Sequence, residues 1–192
     1  NWAGHDRLDY DYRILPRNIG RLPQIVSAPF LHLSWDHIEG NSGPLFVFGF
    51  LAAYRGVKKF LGVTLIVAVT SGLAVWLFQG GTELTVGASG LIFGYFGYVL
   101  SRGVFDRNLI DVLTALVMAL SYAYILTVAV PGTPGVSWIG HLGGLIGGIA
   151  SGWIFRTRRA VARPGRGKVP GDSGGRPPAT TVAVPADNPR AD

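Results

Sequence analysis

The sequence predicts an all-α fold, a polytopic bundle of membrane helices, and three observations support this class. Of the 192 residues, 48 % are hydrophobic and 15 % are charged, with a mean hydropathy of +0.35, which is too apolar for an ordinary soluble domain. The apolar residues form five runs, each near the twenty or so residues that a helix needs to cross about 30 Å of hydrocarbon. Basic residues follow alternate runs, as the positive-inside rule requires of a multi-pass protein.

The five runs predict five spans, at about 36–54, 60–78, 84–101, 109–130 and 136–155. The first run is the most polar, because it contains His37, Glu39 and Asn41, but its second half is almost purely apolar. The other four runs are continuous enough to be read as spans directly. The third and fifth are also rich in glycine, which allows helices to approach one another closely.

The charges between the runs orient them. Basic residues follow the first, third and fifth runs: Arg55, Lys58, Lys59, Arg102, Arg107, Arg156, Arg158 and Arg159. The two opposite loops, 79–83 and 131–135, contain no Lys or Arg. The basic ends are therefore predicted to be cytoplasmic, so we expect a multi-pass protein of the cell membrane.

Three regions are predicted along the chain. Residues 1–35 form a non-cytoplasmic segment, 36–157 form the membrane core, and 158–192 form a disordered cytoplasmic tail that is rich in Pro and Gly and too polar to build a core. The chain begins with Asn1 and has an odd number of predicted spans. We therefore expect it to lack a first helix that precedes residue 1.

The composition also argues against several function classes. The net charge is +6, but no basic face is interleaved with aromatic residues, so nucleic-acid binding is not expected. The chain has no cysteine, which excludes disulfides, thiol catalysis and Cys-based metal sites. No metal and no cofactor is predicted.

Polar residues lie at one predicted depth. Ser89 and His141 each follow the start of their run by five residues, so both are expected roughly 8 Å inside the membrane at about 1.5 Å per residue. Asn41 lies at nearly the same level, and His37 is four residues before it, on the same helical face. Polar residues inside a membrane usually face the bundle interior and mark function, so the four predict a site.

A purely structural interpretation is available for each residue alone. A serine in a glycine-rich span is most often a packing residue, and a lone buried histidine is usually structural. Both spans, however, carry rows of glycine at helical spacing: Gly140, Gly144, Gly148 and Gly152, then Gly143 and Gly147, and in the third run Gly90, Gly94 and Gly97. Such rows permit the close approach that a hydrogen bond between Ser89 and His141 would require.

These residues resemble the rhomboid family of intramembrane serine proteases. The family's HxxxN, GxSG and HxxGxxxG motifs are matched in order by "HIEGN", "GASG" and "HLGGLIGG". They occupy the spans expected for the second, fourth and sixth helices of that family. His32, in "PFLHLSWDH", resembles the family's approach to helix two. The resemblance covers about residues 12–156.

The resemblance implies a role for each matching position. Ser89 would be the nucleophile and His141 its general base, with Ser89 Oγ within hydrogen-bond reach of the ring. His37, Asn41 and the Ser89 N–H would stabilise the oxyanion, and His32 would line a route for water with His37 and Asn41. The supporting residues would be an aromatic beneath the histidine and glycines around the pair: Phe93, Gly87, Gly90, Gly144 and Gly148.

A catalytic carboxylate is not expected near this site. Asp111 lies at the cytoplasmic end of its run, and Glu39 is offset by two residues from both His37 and Asn41, which turns it away from their face. A Ser–His dyad is the natural interpretation. The GxSxG elbow of soluble hydrolases does not fit, because Leu91 stands where the second glycine is needed.

The leading hypothesis is therefore an intramembrane serine endopeptidase that cuts transmembrane segments of other proteins near the outer bilayer face. Its substrates, by resemblance, would be single-span helices with small residues at the cut and a helix-weakening residue nearby. Its partners would be such proteins and membrane lipid. One alternative is a non-catalytic rhomboid-like protein that binds transmembrane segments. Another is a transporter, which would place polar residues at the bilayer centre or on both sides.

Overall fold

The computed structural model of the chain describes residues 11–80 and 85–157, and every regular element within these ranges is helical. The long helices are α1 (Trp35–Ala53), α2 (Val57–Phe78), α3 (Ser89–Asp106), α4 (Leu109–Tyr122) and α5 (Trp138–Ile154). The helix α4 continues directly into a 3₁₀ helix over Ala123–Ala129. The all-α class is confirmed, and the predicted tail, 158–192, lies outside the described residues.

Each of the five predicted runs corresponds to one long helix. By length and composition, two helical segments of the described chain qualify as membrane spans: α2, and α4 with its 3₁₀ extension. The helix α5 has 17 residues, and α3 contains the charged Arg102 and Asp106, so neither is an apolar span of ordinary length. Five crossings therefore stay a prediction.

The helix α3 is the centre of the bundle, and α4 lies at its edge. The central helix contacts each of the other four, most extensively α5, and most of its side chains are buried. In α4, by contrast, Asp111 is the one buried residue. The exposed apolar side chains of α4 include Leu109, Ile110, Leu113, Leu116 and Leu120. An apolar helix with its flank uncovered is suited to contact with lipid.

The glycine rows of α5 pack against two different helices. Gly144 and Gly148 face the backbone of α3, where a Cβ on Gly148 would lie 2.7 Å from the carbonyl carbon of Gly94. Gly143 faces α2, where a Cβ would lie 2.8 Å from the carbonyl oxygen of Thr70. Real Cβ atoms do not approach a backbone so closely. One glycine row therefore allows α5 to pack closely against α3, and the other allows it to pack closely against α2.

The segment before α1 folds back over the same end of the bundle at which α3 begins. The Trp76 indole donates to Asn18 O at 3.1 Å, and the Arg17 N–H donates to Trp76 O at 3.0 Å. The Gly87 N–H donates to Ala28 O at 2.9 Å. These bonds join the segment to α2 and to the turn that leads into α3.

A cluster of buried charges lies at the opposite end of α3. The Asp111 carboxylate accepts hydrogen bonds from Arg55 and from Arg102, and Asp106 accepts from the Thr157 N–H at 2.7 Å. Asp111 is 4 % exposed. This cluster connects the ends of α1, α3, α4 and α5, and about 25 Å of helix separates it from the first residue of α3.

Candidate active site

A cavity of about 330 Å³ lies at the end of the bundle where α1, α3 and α5 begin. Its lining includes Ser89, His141, His37 and Asn41. Ser89 is the first residue of α3, while His37 and His141 lie in the first turn of α1 and of α5. The fold therefore brings all four predicted site residues together, each near the N-terminus of its helix.

The predicted position of Ser89 within its helix is wrong. The sequence placed this residue about five positions inside a helical span, whereas α3 begins at Ser89 itself. The cause is Gly87, which has a φ of +117°, a conformation that ends helical geometry and that other residues rarely adopt. The first helical hydrogen bond runs from Ile92 N to Ala88 O at 3.0 Å. The N–H groups of residues 89–91 therefore have no acceptor within the helix.

The His141 ring is fixed by two contacts. Its Nδ1 lies 2.8 Å from the main-chain oxygen of Val128. A carbonyl oxygen only accepts, so Nδ1 carries the hydrogen, and in the neutral ring Nε2 then keeps a free lone pair. Phe93 stacks on the ring, with centroids 4.3 Å apart and planes 10° apart, which is the arrangement that the resemblance to the rhomboid family implied. His141 is 4 % exposed.

Ser89 lies one helical turn before Phe93, on the same face of α3, and Phe93 is the residue that stacks on His141. The hydroxyl and the ring both line the cavity. Within 11–80 and 85–157, however, no direct hydrogen bond joins Ser89 to His141, so the predicted bond is not formed in this structure. Gly144 packs on the backbone of Gly90, which keeps the two helices close at this level.

His37 and Asn41 approach the turn before Ser89 from α1. A Cβ on Gly87 would lie 2.8 Å from His37 Nε2 and 3.8 Å from Asn41 Nδ2, so the ring fits only because residue 87 is glycine. Asn41 Nδ2 is buried and has no hydrogen-bond partner. An unsatisfied buried donor costs about 1–3 kcal/mol, and a group of this kind calls for an explanation.

His32 is the one predicted site histidine outside the cavity lining. Its ring meets His37 edge-on, with centroids 5.2 Å apart, so it contacts His37 from outside the lining. The water route expected along these residues stays a prediction. No carboxylate of the described chain lines the cavity. The described residues also contain no group of His, Asp or Glu arranged to hold a metal ion.

Four polar contacts around the cavity were not predicted. Ser71 of α2 donates to Gly140 O at 2.8 Å, and Ser137 donates to Gln79 Oε1 at 2.6 Å. Ser137 also caps α5 by accepting from the Gly140 N–H, and a Ser just before a helical run is a recognisable capping signal. The Val128 carbonyl has no such signal, because it belongs to the main chain.

The chain is similar to a known protein family and to several bacterial and plant proteins. The Rhomboid domain family matches residues 20–158. An uncharacterized protein of Mycobacterium tuberculosis is 36 % identical over 171 residues, which cover 83 % of this chain and 71 % of that protein. One of Mycobacterium leprae is 36 % identical over 153 residues, covering 73 % and 61 %. The rhomboid-like protein 11, chloroplastic, of Arabidopsis thaliana is 29 % identical over 145 residues, covering 69 % and 52 %.

Proposed function

The chain belongs to the rhomboid family, and from that premise we propose that it is an intramembrane serine endopeptidase that cleaves transmembrane segments near the outer bilayer face. The observation that carries the proposal is the shared cavity of Ser89, His141, His37 and Asn41. The proposed arrangement has five spans in the cell membrane and a cytoplasmic C-terminal tail. The exposed apolar flank of α4 supports membrane residence.

In the proposed reaction, Ser89 Oγ attacks the scissile carbonyl while His141 Nε2 takes the hydroxyl proton. The histidine then protonates the leaving amine, and water hydrolyses the acyl-enzyme by the same route. The donation from His141 Nδ1 to Val128 O supports this role, because it leaves Nε2 unprotonated. Substrate binding closes the pair to hydrogen-bond distance, since catalytic contacts are commonly loose in free enzymes.

The oxyanion of the tetrahedral intermediate would be bound by donors that are already in place. Asn41 Nδ2 is buried without a partner, which is the state expected of a donor whose acceptor arrives with the substrate. The Ser89 N–H at the start of α3 and the ring of His37 complete the set. One such donor is worth roughly 10²–10³ in kcat.

Helix dipoles add to this stabilisation. The helices α1, α3 and α5 all direct their N-termini toward the cavity, and each N-terminus carries about half a positive charge. An apolar, water-poor surrounding strengthens their effect on a developing negative charge. The site is thus suited to a developing oxyanion.

The substrate class follows from the position of Ser89. A peptide bond inside a helix has its carbonyl occupied, so the segment must unwind before Ser89 reaches it. This requirement favours a helix-weakening residue near the cut, and the resemblance to the rhomboid family adds the expectation of single transmembrane helices with small residues at the cut.

The proposal is tested by labelling the purified protein with a fluorophosphonate and by cleavage of a reporter span. The wild type and a matched control, Ser42→Ala, in which an exposed hydroxyl that bonds its own helix is removed, should both be labelled and active. Ser89→Ala should be neither, and His141→Ala should not cleave.

Labelling that persists in Ser89→Ala would refute the protease. A wild type that binds the reporter span, takes no label and cuts nothing would instead support a non-catalytic rhomboid-like binding protein.

A further inference from the structure

The group that holds His141 comes from a different element of the fold. His141 lies in the first turn of α5, while its partner, the carbonyl of Val128, is the penultimate residue of the 3₁₀ helix Ala123–Ala129. The lining of the site contains no carboxylate in the described chain. The contact therefore occupies the position in which a serine-protease triad would have its acid.

The Val128 carbonyl is available because of where its helix ends. The last carbonyls of a helix have no partner within it, and Val130 is extended, with φ −116° and ψ 156°. These terminal carbonyls also form the negative end of the helix dipole, which favours a nearby cation. Val128 thus offers both a hydrogen-bond acceptor and a partial negative charge.

The 3₁₀ conformation determines where this carbonyl points. From Ala123 to Val128 there are five steps, and each turns 120° in a 3₁₀ helix but 100° in an α-helix. A continued α-helix would leave Val128 rotated by about 100° and about 2.5 Å short along the axis. The change of helix type is therefore what aims the oxygen at the His141 ring.

We propose that the main-chain carbonyl of Val128 is the positioning group of the dyad and replaces the carboxylate of a triad. It keeps the hydrogen on Nδ1, fixes the in-plane direction of the ring, and stabilises the imidazolium that forms when Ser89 is deprotonated. Phe93, stacked on the ring face, prevents tilting, and the two contacts together aim Nε2. The proposal rests on the dyad mechanism proposed above.

The first test measures the tautomer of the wild type and needs no variant. In purified protein labelled with ¹⁵N-histidine, the neutral His141 ring should carry its proton on Nδ1. His141→Ala identifies the resonance by its absence. A ring protonated on Nε2 would overturn the proposal, whether or not the protein cleaves any substrate.

The second test weakens the acceptor. Replacing Ala129 by lactic acid turns the Val128 carbonyl into an ester, which is a poorer acceptor. The same replacement at Ala123 is the matched control, because the carbonyl that it weakens belongs to Tyr122. We expect the Ala129 ester alone to lower kcat by about 10- to 100-fold, by analogy with the groups that orient metal-bound histidines, with KM unchanged.

Equal kcat in the two esters would overturn the positioning role and leave the protease intact. If the wild type is inactive but its His141 ring carries the proton on Nδ1, the proposed protease function is refuted and the hydrogen bond to Val128 is retained as a structural contact. A drop in kcat that accompanied an equal rise in KM would assign the effect to substrate binding and would also overturn the proposal.

Discussion

Replacing Gly148 by alanine should force α3 and α5 apart. The new Cβ would lie 2.7 Å from the carbonyl carbon of Gly94 and 2.9 Å from the amide nitrogen of Tyr98. Both neighbours are backbone atoms, so no side-chain rotation relieves the overlap. The carbonyl oxygen of Gly94 would lie closer still. An ordinary contact begins at 3.4 Å, so the helices must separate locally by more than the roughly 0.7 Å that the carbonyl carbon alone requires, a gap that weakens dispersion contacts along the interface.

The expected cost is that of overpacking a core, about 1–3 kcal/mol. For a chain of this size, each kcal/mol shifts Tm by roughly 2–4 °C. The variant should therefore melt roughly 2–12 °C below the wild type. Because α3 carries Ser89 and α5 carries His141, cleavage should fall as well, and a displacement of about 1 Å costs about 10²-fold.

The assay is thermal unfolding of the purified protein in one detergent. The matched control is Gly43→Ala in α1, where an added Cβ meets no heavy atom within 4 Å. Alanine is the better helix former by about 0.5–1 kcal/mol, so the control should melt at or slightly above the wild type. If Gly148→Ala melts as high as Gly43→Ala, the close contact of the two backbones is not what limits this position.

Three further predictions use the same preparations. Gly87→Ala should lower the cleavage rate about 100-fold, because the new Cβ displaces the His37 imidazole. The control Gly132→Ala has a similar positive φ of +131° but open space around it, so it tests backbone strain alone. Equal cleavage rates for the two variants would contradict this prediction. Asp111→Asn should destabilise by about 3–5 kcal/mol, because two arginines lose a buried partner, and a melt like that of the exposed Glu39→Gln would oppose it. Phe93→Ala should slow cleavage about two- to tenfold while Phe93→Tyr keeps the ring and the rate; an alanine variant as fast as the tyrosine one would exclude stacking.

Much of the helical bundle was predictable because helix length and apolar runs are local properties. The runs located all five long helices, and the spacing of His37 and Asn41 predicted their shared face. Likewise, the spacing of Ser89 and Phe93 placed both on one helical face, while the expectation that the aromatic ring lies beneath His141 came from the resemblance to the rhomboid family. The shared faces depend on helical periodicity, which the sequence displays directly.

The start of α3 and the end of α4 were not predictable in the same way. Residues 84–101 contain no charged residue and were interpreted as one apolar run, so the irregular turn at Gly87 was not recognised as a break. The switch to 3₁₀ geometry at Ala123 also has no signal in the sequence, since no residue type requires a 3₁₀ helix. Both features depend on contacts made elsewhere, among them the Ala28 carbonyl and the His141 ring.

The charged cluster was missed for another reason. Arg55 and Arg102 were interpreted as topology signals, because both follow an apolar run. In the structure they also neutralise Asp111, which is remote in sequence from Arg55. Charge patterning reports the side of the membrane on which a residue lies, and it does not report which residue it pairs with.

Because the oxygen that contacts His141 belongs to the main chain, no codon change at position 128 deletes it. A triad aspartate is lost by one point mutation, whereas each of the twenty amino acids at this position supplies the same carbonyl. Drift in side-chain identity here is therefore neutral for the contact, and only mutations that change the course of the backbone abolish it. Selection for this contact therefore acts on residues that determine the backbone conformation around position 128, and not on the side chain at that position.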